Sequence, residues 1–244
     1  AEGFINSLFQ LMHIKLASPD YSTLSIRAGS LSVDIRTKTN CNHTAYEPLH
    51  IVVDSSGAKV YGEGQWKVRQ HGWCKHRTWR KFHLGIDDKT KQIMAVEVTL
   101  NDTADCEMLE PLLRQIANHI DKVSADGAYD KRLCYEVLNQ SNILANIPPQ
   151  RNARIWQHGN TNAPPLIRDK NLRRIRAVGK RQWKIETGYH RRSIAENAMF
   201  RFKTIFSDRL SSRSFANQRT EVLLKCRILN QMAELGLPDS YIAA

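Results

Sequence analysis

The sequence predicts an α/β fold, and two patterns support this prediction. Strand-like segments rich in apolar and β-branched residues begin at residue 49, and segments in which apolar residues recur every three or four positions follow them. The first three predicted strands cover residues 49–54, 81–87 and 92–99, and a short polar turn joins the last two. The order of predicted elements in this part of the chain is βββαβαβ.

The later elements alternate between helix and strand. In chain order they are an amphipathic stretch at 104–119, a strand near 123–126, a helix near 131–139 and a strand at 143–147. Two helices close the chain, at about 187–206 and 217–235, and Gly236 and Pro238 end the second one. Between strand and helices, residues 148–185 are rich in Arg, Asn and Pro and show no clear period. They are therefore predicted to be an insertion or a long basic loop, which is usually functional.

Positive charge dominates the composition. Lys and Arg number 36 against 24 acidic residues, which gives a net charge of +12. Between Arg168 and Lys203 there are 12 Lys or Arg residues and only three acids. The backbone of a nucleic acid is the natural counterion for such a cluster. A merely solvated basic face is the alternative, but such faces usually carry interspersed acids.

Several classes of protein are not indicated. No segment approaches the roughly 20 apolar residues that a membrane span needs. The five cysteines are widely spaced and form no C-x-x-C pair, so neither a disulfide framework nor a zinc ribbon is suggested. The first residues lack the basic start of a signal peptide, and we interpret them as an amphipathic helix of a chain clipped upstream. The expected compartment is the reducing cytoplasm.

Two aspartates occur where predicted strands end. Asp54 ends the first predicted strand, and Asp126 lies where the fourth strand meets the turn Gly-Ala-Tyr-Asp. A carboxylate at a strand end is held rigidly and yet faces solvent, which suits a metal ligand. Considered singly, each aspartate is better explained as a turn or cap residue.

The predicted helix around Glu196 favours the functional interpretation. At about 100° per residue, four polar side chains fall within an arc of about 60°: Tyr189, Arg192, Glu196 and Lys203. The opposite side is predicted to pack on the sheet and carries Ile194, Ala198, Phe202 and Ile205. An ion pair of Glu196 with Arg192 is the simpler alternative. An acid flanked by bases along one face could instead bind a metal while the bases bind phosphates.

The spacing Tyr189-x2-Arg192-x3-Glu196-x6-Lys203 resembles the YREK signature of insertion-sequence transposases. The block from Leu49 to Trp66 and the string Asp-Gly-Ala-Tyr-Asp at 126–130 are similar to the two other catalytic blocks of the IS-five group, within the IS-four-like superfamily. The resemblance covers about residues 1–235. It implies an RNase H-like fold, with a mixed five-stranded sheet flanked by helices and a basic insertion before the last catalytic helix.

The resemblance also implies a division of the chain and a chemistry. Residues 1–48 would be the remnant of a DNA-binding region with a linker, 49–235 a catalytic domain with its insertion at about 148–185, and 236–244 a tail. Asp54, Asp126 and Glu196 would bind Mg²⁺, or Mn²⁺ in its place, as oxygen ligands suit hard cations. The implied activity is cleavage of double-stranded DNA at transposon ends and strand transfer into target DNA, by a homodimer associated with the bacterial nucleoid.

DNA contacts are expected from basic and aromatic side chains. By resemblance they are Tyr189, Arg192 and Lys203, and by their place in basic segments Arg191, Lys184 and Arg77. The string His71-Gly-Trp-Cys-Lys-His76 could suggest a metal site, but its ligands would lie on opposite faces of a strand, so a DNA contact is favoured. Trp156 and Trp183 could stack on an unpaired base, although packing is the commoner role of an isolated Trp.

Two rival functions remain open. An RNase H-like nuclease that cuts without joining would use the same three acids. A DNA-binding remnant or transposition inhibitor, made from a truncated element, would need none of them. The products of strand transfer distinguish the first rival, and Mg²⁺-dependent nicking distinguishes the second.

Overall fold

The computed structural model describes residues 2–36, 48–60, 79–157 and 165–236. Within these ranges six strands form one sheet: β1 (Leu49–Val60), β2 (Trp79–Asp87), β3 (Ile93–Leu100), β4 (Ile120–Ser124), β5 (Leu144–Asn146) and β6 (Arg209–Leu210). The helices of the same ranges are α1 (Glu2–Leu11), α2 (Tyr21–Ala28), α3 (Leu109–Arg114), α4 (Arg132–Gln140), α5 (Ile167–Thr187), α6 (Ser193–Phe206) and α7 (Phe215–Glu234). The α/β prediction is confirmed.

The sheet is mixed, with strand order β3-β2-β1-β4-β5. β1, β2 and β3 are antiparallel neighbours, whereas β4 pairs in parallel with β1, and β5 in parallel with β4. The prediction of five strands is wrong by one, because β6 adds a parallel pairing to the far end of β1. β6 has only two residues, which is too short for a periodic pattern in the sequence.

β1 is longer than predicted, and this changes the position of Asp54. The antiparallel pairing with β2 continues past Asp54↔Leu84 to Lys59↔Trp79, so the strand does not end at residue 54. On the opposite edge of β1, the pairing with β4 stops at Val52, and the pairing with β6 starts at Lys59. Among the described strands, none covers this edge of β1 between those two points. Asp54 therefore lies inside a strand but beside an opening in the sheet.

Two hydrophobic layers cover the two faces of the sheet. Ile51 and Val53 of β1 pack with α3 and α4 on one face. Val52 points to the other face, where it packs with α6 and α7. There the ring of Phe202 on α6 stacks on Phe82 of β2, with centroids 4.6 Å apart. The predicted core face of α6 is confirmed for Ala198 and Phe202, whereas Ile205 is exposed, near the end of the helix.

The segment predicted as a long basic loop contains the helix α5. Gly179, with φ 83° and ψ 156°, interrupts this helix, and the chain folds back there. Arg174 donates hydrogen bonds of 2.8 and 2.6 Å to Glu186, although twelve residues span about 18 Å in a straight helix. Trp183 is only 1% exposed and bonds to Asn171, so its packing role fits the structure. Arg, Lys and Gln occupy nine of its 21 positions, and α5 shows no clear apolar period.

The predicted helix 187–206 is interrupted as well. Gly188 takes up the left-handed conformation, with φ 65° and ψ 26°, and ends α5. Residues Tyr189–Arg192 then form one turn of 3-10 helix, and α6 begins at Ser193. Tyr189 and Arg192 therefore precede the α-helix in which the sequence pattern placed them, although Arg192 still meets Glu196 at the helical i to i+4 spacing.

The N-terminal segment packs against the last helix. Asn217 and Thr220 of α7 donate hydrogen bonds to the carbonyl oxygens of Ser25 and Ala28, at 2.9 and 2.7 Å. Farther along α7, Asn230 Nδ2 donates to Ile35 O at 3.0 Å. None of the helices in the described ranges is both long and apolar enough to cross a membrane. Cys106, Cys134 and Cys226 are free thiols.

Candidate active site

Asp54 provides a carboxylate that is largely buried at the opening beside β1. Its side chain is 14% exposed, and Oδ1 accepts a hydrogen bond of 3.0 Å from the backbone N–H of Ser55. Burial raises the pKa of Asp54, and the negative charges of Asp126 and Glu196 raise it further, while the Arg192 guanidinium opposes the rise. The side chain is thus held where its ionised form depends on a nearby cation.

Asp126 follows β4 by two residues and caps a short 3-10 turn, Gly127–Tyr129. Its carboxylate accepts a hydrogen bond of 2.8 Å from the N–H of Ala128. The other end of this turn is fixed by Asp130, which pairs with the buried Arg168 at 2.6 Å and accepts from the N–H of Gln150 at 2.8 Å. The turn that holds Asp126 is therefore anchored in the core.

Glu196 lies in the first turn of α6 and approaches from the helical layer. Its side chain is 59% exposed, and its Oε1 atom accepts a hydrogen bond of 2.6 Å from Arg192 Nη1. The Nη2 atom of the same guanidinium lies 3.6 Å from Asp54 Oδ2. Arg192 therefore stands between the carboxylates of Asp54 and Glu196.

The charge of Asp126 also acts on Tyr189 and Arg192. Burial lowers the pKa of Arg192, but the charges of Asp54, Tyr189, Asp126 and Glu196 raise it to a value above the ordinary one. Burial is also the main reason why the pKa of Tyr189 rises to about 12, with contributions from all three acids. The charges of the three acids, which are far apart in the sequence, thus all act on Tyr189 and Arg192, and Asp54 and Glu196 also contact Arg192 directly.

These residues fit a divalent cation in their chemistry. The three side chains offer carboxylate oxygens, the ligands that Mg²⁺ and Mn²⁺ prefer. Within the described ranges, however, no three His, Cys, Asp or Glu side chains lie close enough together to hold a metal ion. The Arg192 guanidinium is the cation that Asp54 and Glu196 contact here.

The other predicted DNA contacts lie in several environments. Lys203 is half-buried on α6, about 10 Å beyond Glu196 along the helix. Lys184 Nζ lies 5.4 Å from the ring centre of the buried Tyr189. Arg191 is paired with Asp88 through a short contact. Arg77 and the string from His71 to His76 lie outside the described residues.

The side-chain contacts that anchor the Asp126 turn were not predicted from the sequence. Arg168 was counted only as part of a basic cluster, yet its side chain is buried between Asp130 and the ring of Trp156, 3.7 Å from the ring centre. Trp156 thus packs against a cation. The second aspartate in the string Asp-Gly-Ala-Tyr-Asp was the only available signal, because nothing local indicates a partner 38 residues away.

Comparison with protein families agrees with this arrangement. A family model described as a transposase DDE domain matches residues 45–231. The chain belongs to the DDE transposase domain family. A second model with the same description matches residues 1–63, which include α1, α2 and β1.

Membership of the DDE transposase family assigns the fold and the general function. The mixed sheet with helices on both faces is the RNase H-like fold of this family. The chain is a transposase domain, and its family acts on DNA and generally uses divalent metal ions. The assignment of individual site residues remains a prediction.

Proposed function

We propose that this DDE transposase domain cuts DNA at the ends of an insertion element of the IS-five group and joins the freed 3′ ends to target DNA. The observation that carries the proposal is the contact of the Arg192 guanidinium with both Asp54 and Glu196, and the charge of Asp126 also raises the pKa of Arg192. Four identities at the spacing of the YREK signature support the choice of subgroup.

In this proposal Asp54, Asp126 and Glu196 hold two Mg²⁺ ions, with Mn²⁺ as a substitute. When bound, such a pair activates a water on one side of the phosphorus and stabilises the leaving 3′ oxygen on the other. Asp54 and Asp126 are rigid ligands, because a strand and an anchored turn carry them. Glu196 is the exposed member, and it completes the ligand set by turning from Arg192 toward the two aspartates.

Arg192 has two tasks in this scheme. Without DNA it neutralises the repulsion between Asp54 and Glu196. Its Nε atom is buried and has no hydrogen-bond partner among the described residues, which leaves a donor for a phosphate oxygen once the side chain turns toward DNA. Release of Glu196 and binding of the phosphate are then coupled through one guanidinium.

The DNA is proposed to bind along the positively charged face around this site. Tyr189, Lys203, Lys184 and Arg77 are proposed contacts, together with exposed basic side chains of α5, whereas the predicted contact Arg191 is paired with Asp88. Charge rather than base recognition is the basis of this assignment, so it concerns the phosphate backbone. Pairing of two transposon ends implies a homodimer, and the DNA partner implies a cytoplasmic, nucleoid-associated protein. Residues 1–48 are proposed to be a DNA-binding region with a linker, 49–235 the catalytic domain and 236–244 a tail.

The experiment is a cleavage and joining assay on duplexes that carry the terminal repeats flanking the coding frame. We expect Mg²⁺-dependent nicks with 3′-OH ends and joined products with target DNA. Glu196→Gln should abolish both, whereas Glu136→Gln, the same change at an exposed position of α4, should not. Nicks without joined products would favour an RNase H-like nuclease. DNA binding without nicks would favour an inactive remnant or inhibitor.

A further inference from the structure

A chain of hydrogen bonds crosses the sheet beside the candidate site. His50 lies four residues before Asp54 on β1, so the two side chains point to the same face of the sheet. His50 Nε2 lies 2.8 Å from Ser124 Oγ, and His50 Nδ1 lies 3.1 Å from Asp88 Oδ2. Asn146 Nδ2 donates to Ser124 Oγ at 2.8 Å. The chain thus joins β1, β4, β5 and the turn after β2.

The positions of the protons follow from burial. Burial lowers the pKa of His50, so its ring is neutral at pH 7. The Nδ1–H group then donates to Asp88, and Nε2 accepts from the Ser124 hydroxyl, whose oxygen accepts from Asn146. Each hydrogen bond in the chain then has one donor and one acceptor. Among the described residues, Asp88 Oδ1 and Asn146 Oδ1 are buried and accept no hydrogen bond.

Both ends of this network hold the segment around Gly188. At one end, Arg191 donates to Asp88 Oδ2. At the other end, Thr187 O accepts a hydrogen bond of 2.5 Å from Lys122 Nζ and a longer one of 3.4 Å from Asn146 Nδ2. The backbone from Thr187 to Arg191 is therefore tied to the sheet on both sides of the glycine. The next residue is Arg192.

We propose that His50, Asp88, Ser124 and Asn146 are positioning residues, which fix the 187–192 turn and so place Arg192 between Asp54 and Glu196. The inference rests on the proposed function, because the position of Arg192 affects cleavage through the two acids. It also gives Arg191 a role different from the predicted DNA contact. Arg191 acts through the buried Asp88, whose side chain is 1% exposed.

Ser124, His50 and Asp88 have the order of a nucleophile, a base and an orienting acid, but they do not form a hydrolase site. Ser124 is 0% exposed, so no substrate reaches its hydroxyl. Its hydrogen bond to His50 is matched by the one that it accepts from Asn146. Labelling of Ser124 in the native protein by a fluorophosphonate probe would contradict this and overturn the positioning role.

Kinetics on the full chain separate positioning from DNA contact. Arg191→Ala and Asp88→Asn should each lower the cleavage rate at saturating DNA by about tenfold or more, with little change in the dissociation constant for DNA. Arg191→Lys should restore much of the rate, since it can pair with Asp88. His190→Ala, an exposed change in the same turn, is the matched control and should be silent. If Arg191 contacts DNA directly, Asp88→Asn frees it, and tighter binding at an unchanged rate would overturn the proposal.

A second measurement does not depend on activity. Hydrogen exchange of peptides covering residues 186–190 should speed up in Asp88→Asn and Ser124→Ala, and stay unchanged in His190→Ala. Unchanged protection in the first two variants overturns the proposal. If Ser124→Ala fails to fold, Arg191→Ala replaces it, because Arg191 is 62% exposed and its loss keeps the core intact. Hydrogen exchange in Arg191→Ala is measured on peptides that end at His190. A wild-type protein that shows no cleavage would refute the proposed function, while the exchange result would still decide the positioning role.

Discussion

Arg192 donates a hydrogen bond of 2.6 Å to Glu196, and it does so from the turn that precedes the helix carrying this glutamate. The i to i+4 spacing is that of an ordinary helical ion pair. What distinguishes it is the second carboxylate, Asp54, 3.6 Å from the same guanidinium. A protein side chain thus offsets the repulsion that three acids would otherwise exert at this site.

Replacement of Arg192 tests this offset. Arg192→Ala should reduce DNA cleavage by about 10- to 100-fold, because Asp54 and Glu196 lose their shared cation and the phosphate loses a donor. Arg192→Lys keeps the positive charge but lacks the two nitrogens of the guanidinium fork, so its cleavage rate should lie between those of wild type and Arg192→Ala. The measurement is the cleavage rate against Mg²⁺ concentration. A rate in Arg192→Ala equal to that of wild type would contradict the assigned role.

Asp54 should weaken the fold at neutral pH. Its folded-state pKa is raised above the usual 3.8, mainly by burial, so the ionised form is disfavoured in the folded state. The cost is absent below the unfolded pKa and grows as pH rises through the folded pKa. In a metal-free buffer, Asp54→Asn should therefore raise Tm at pH 7 and lose this advantage near pH 3.5. Asp121→Asn, a change of an exposed strand residue, should show no such trend.

Gly188 should resist substitution for a conformational reason. A Cβ atom at this position would meet nothing within 4 Å, so only the positive φ of 65° opposes a side chain. Gly188→Ala should cost about 1 kcal/mol of unfolding free energy, and Gly188→Asn less. Denaturant unfolding measures both. Equal stability of all three proteins would mean that the turn adopts another conformation.

Phe202 should be a major source of stability for the helical layer. It is 1% exposed, and its ring stacks on Phe82 of the sheet. Phe202→Ala should lower the unfolding free energy by about 3–5 kcal/mol, and Phe202→Leu should cost clearly less. Phe200→Ala lies two residues away on the exposed side of α6 and should have little effect. A small loss in Phe202→Ala would show that α6 is not packed as described.

The basic helix α5 should contribute through charge alone. Arg173 and Lys180 are exposed on it. Their joint replacement by Ala should weaken binding to any duplex and reduce the slope of log K against log salt by about 2. The control is Lys89→Ala in the exposed turn after β2. Weakened binding to one sequence only would indicate base recognition instead.

The sequence predicted those features that depend on local pattern. The first five strands were predicted because they are rich in apolar and β-branched residues, although β4 lies at Ile120–Ser124 and not at 123–126. The turn at Asp126 was predicted from the string Gly-Ala-Tyr-Asp that follows it. The sequence also brought Glu196 and Arg192 together, since their spacing is helical. Membership of the DDE transposase family supports the predicted transposase function.

What the sequence did not predict depends on contacts between distant residues. Hydrogen bonding to β2 carries β1 past Asp54, and no residue near Asp54 indicates this continuation. Gly188 was placed inside a helix because the flanking residues favour one, yet glycine there allows the left-handed turn. Asp88 contacts His50, which is 38 residues away, and Arg191, which is 103 residues away. Only the folded chain brings these residues close together.

The contacts of α7 with the segment from Ser25 to Ile35 have a consequence for synthesis of the protein. Asn230 bonds to Ile35 across 195 positions, and Val222 and Leu229 of α7 complete the apolar layer over Val52. On the ribosome, that layer stays uncovered until almost the entire polypeptide has emerged. A polypeptide that ends before α7, for example because of a frameshift, would expose this apolar surface. Chaperones and proteases would therefore be expected to act on it.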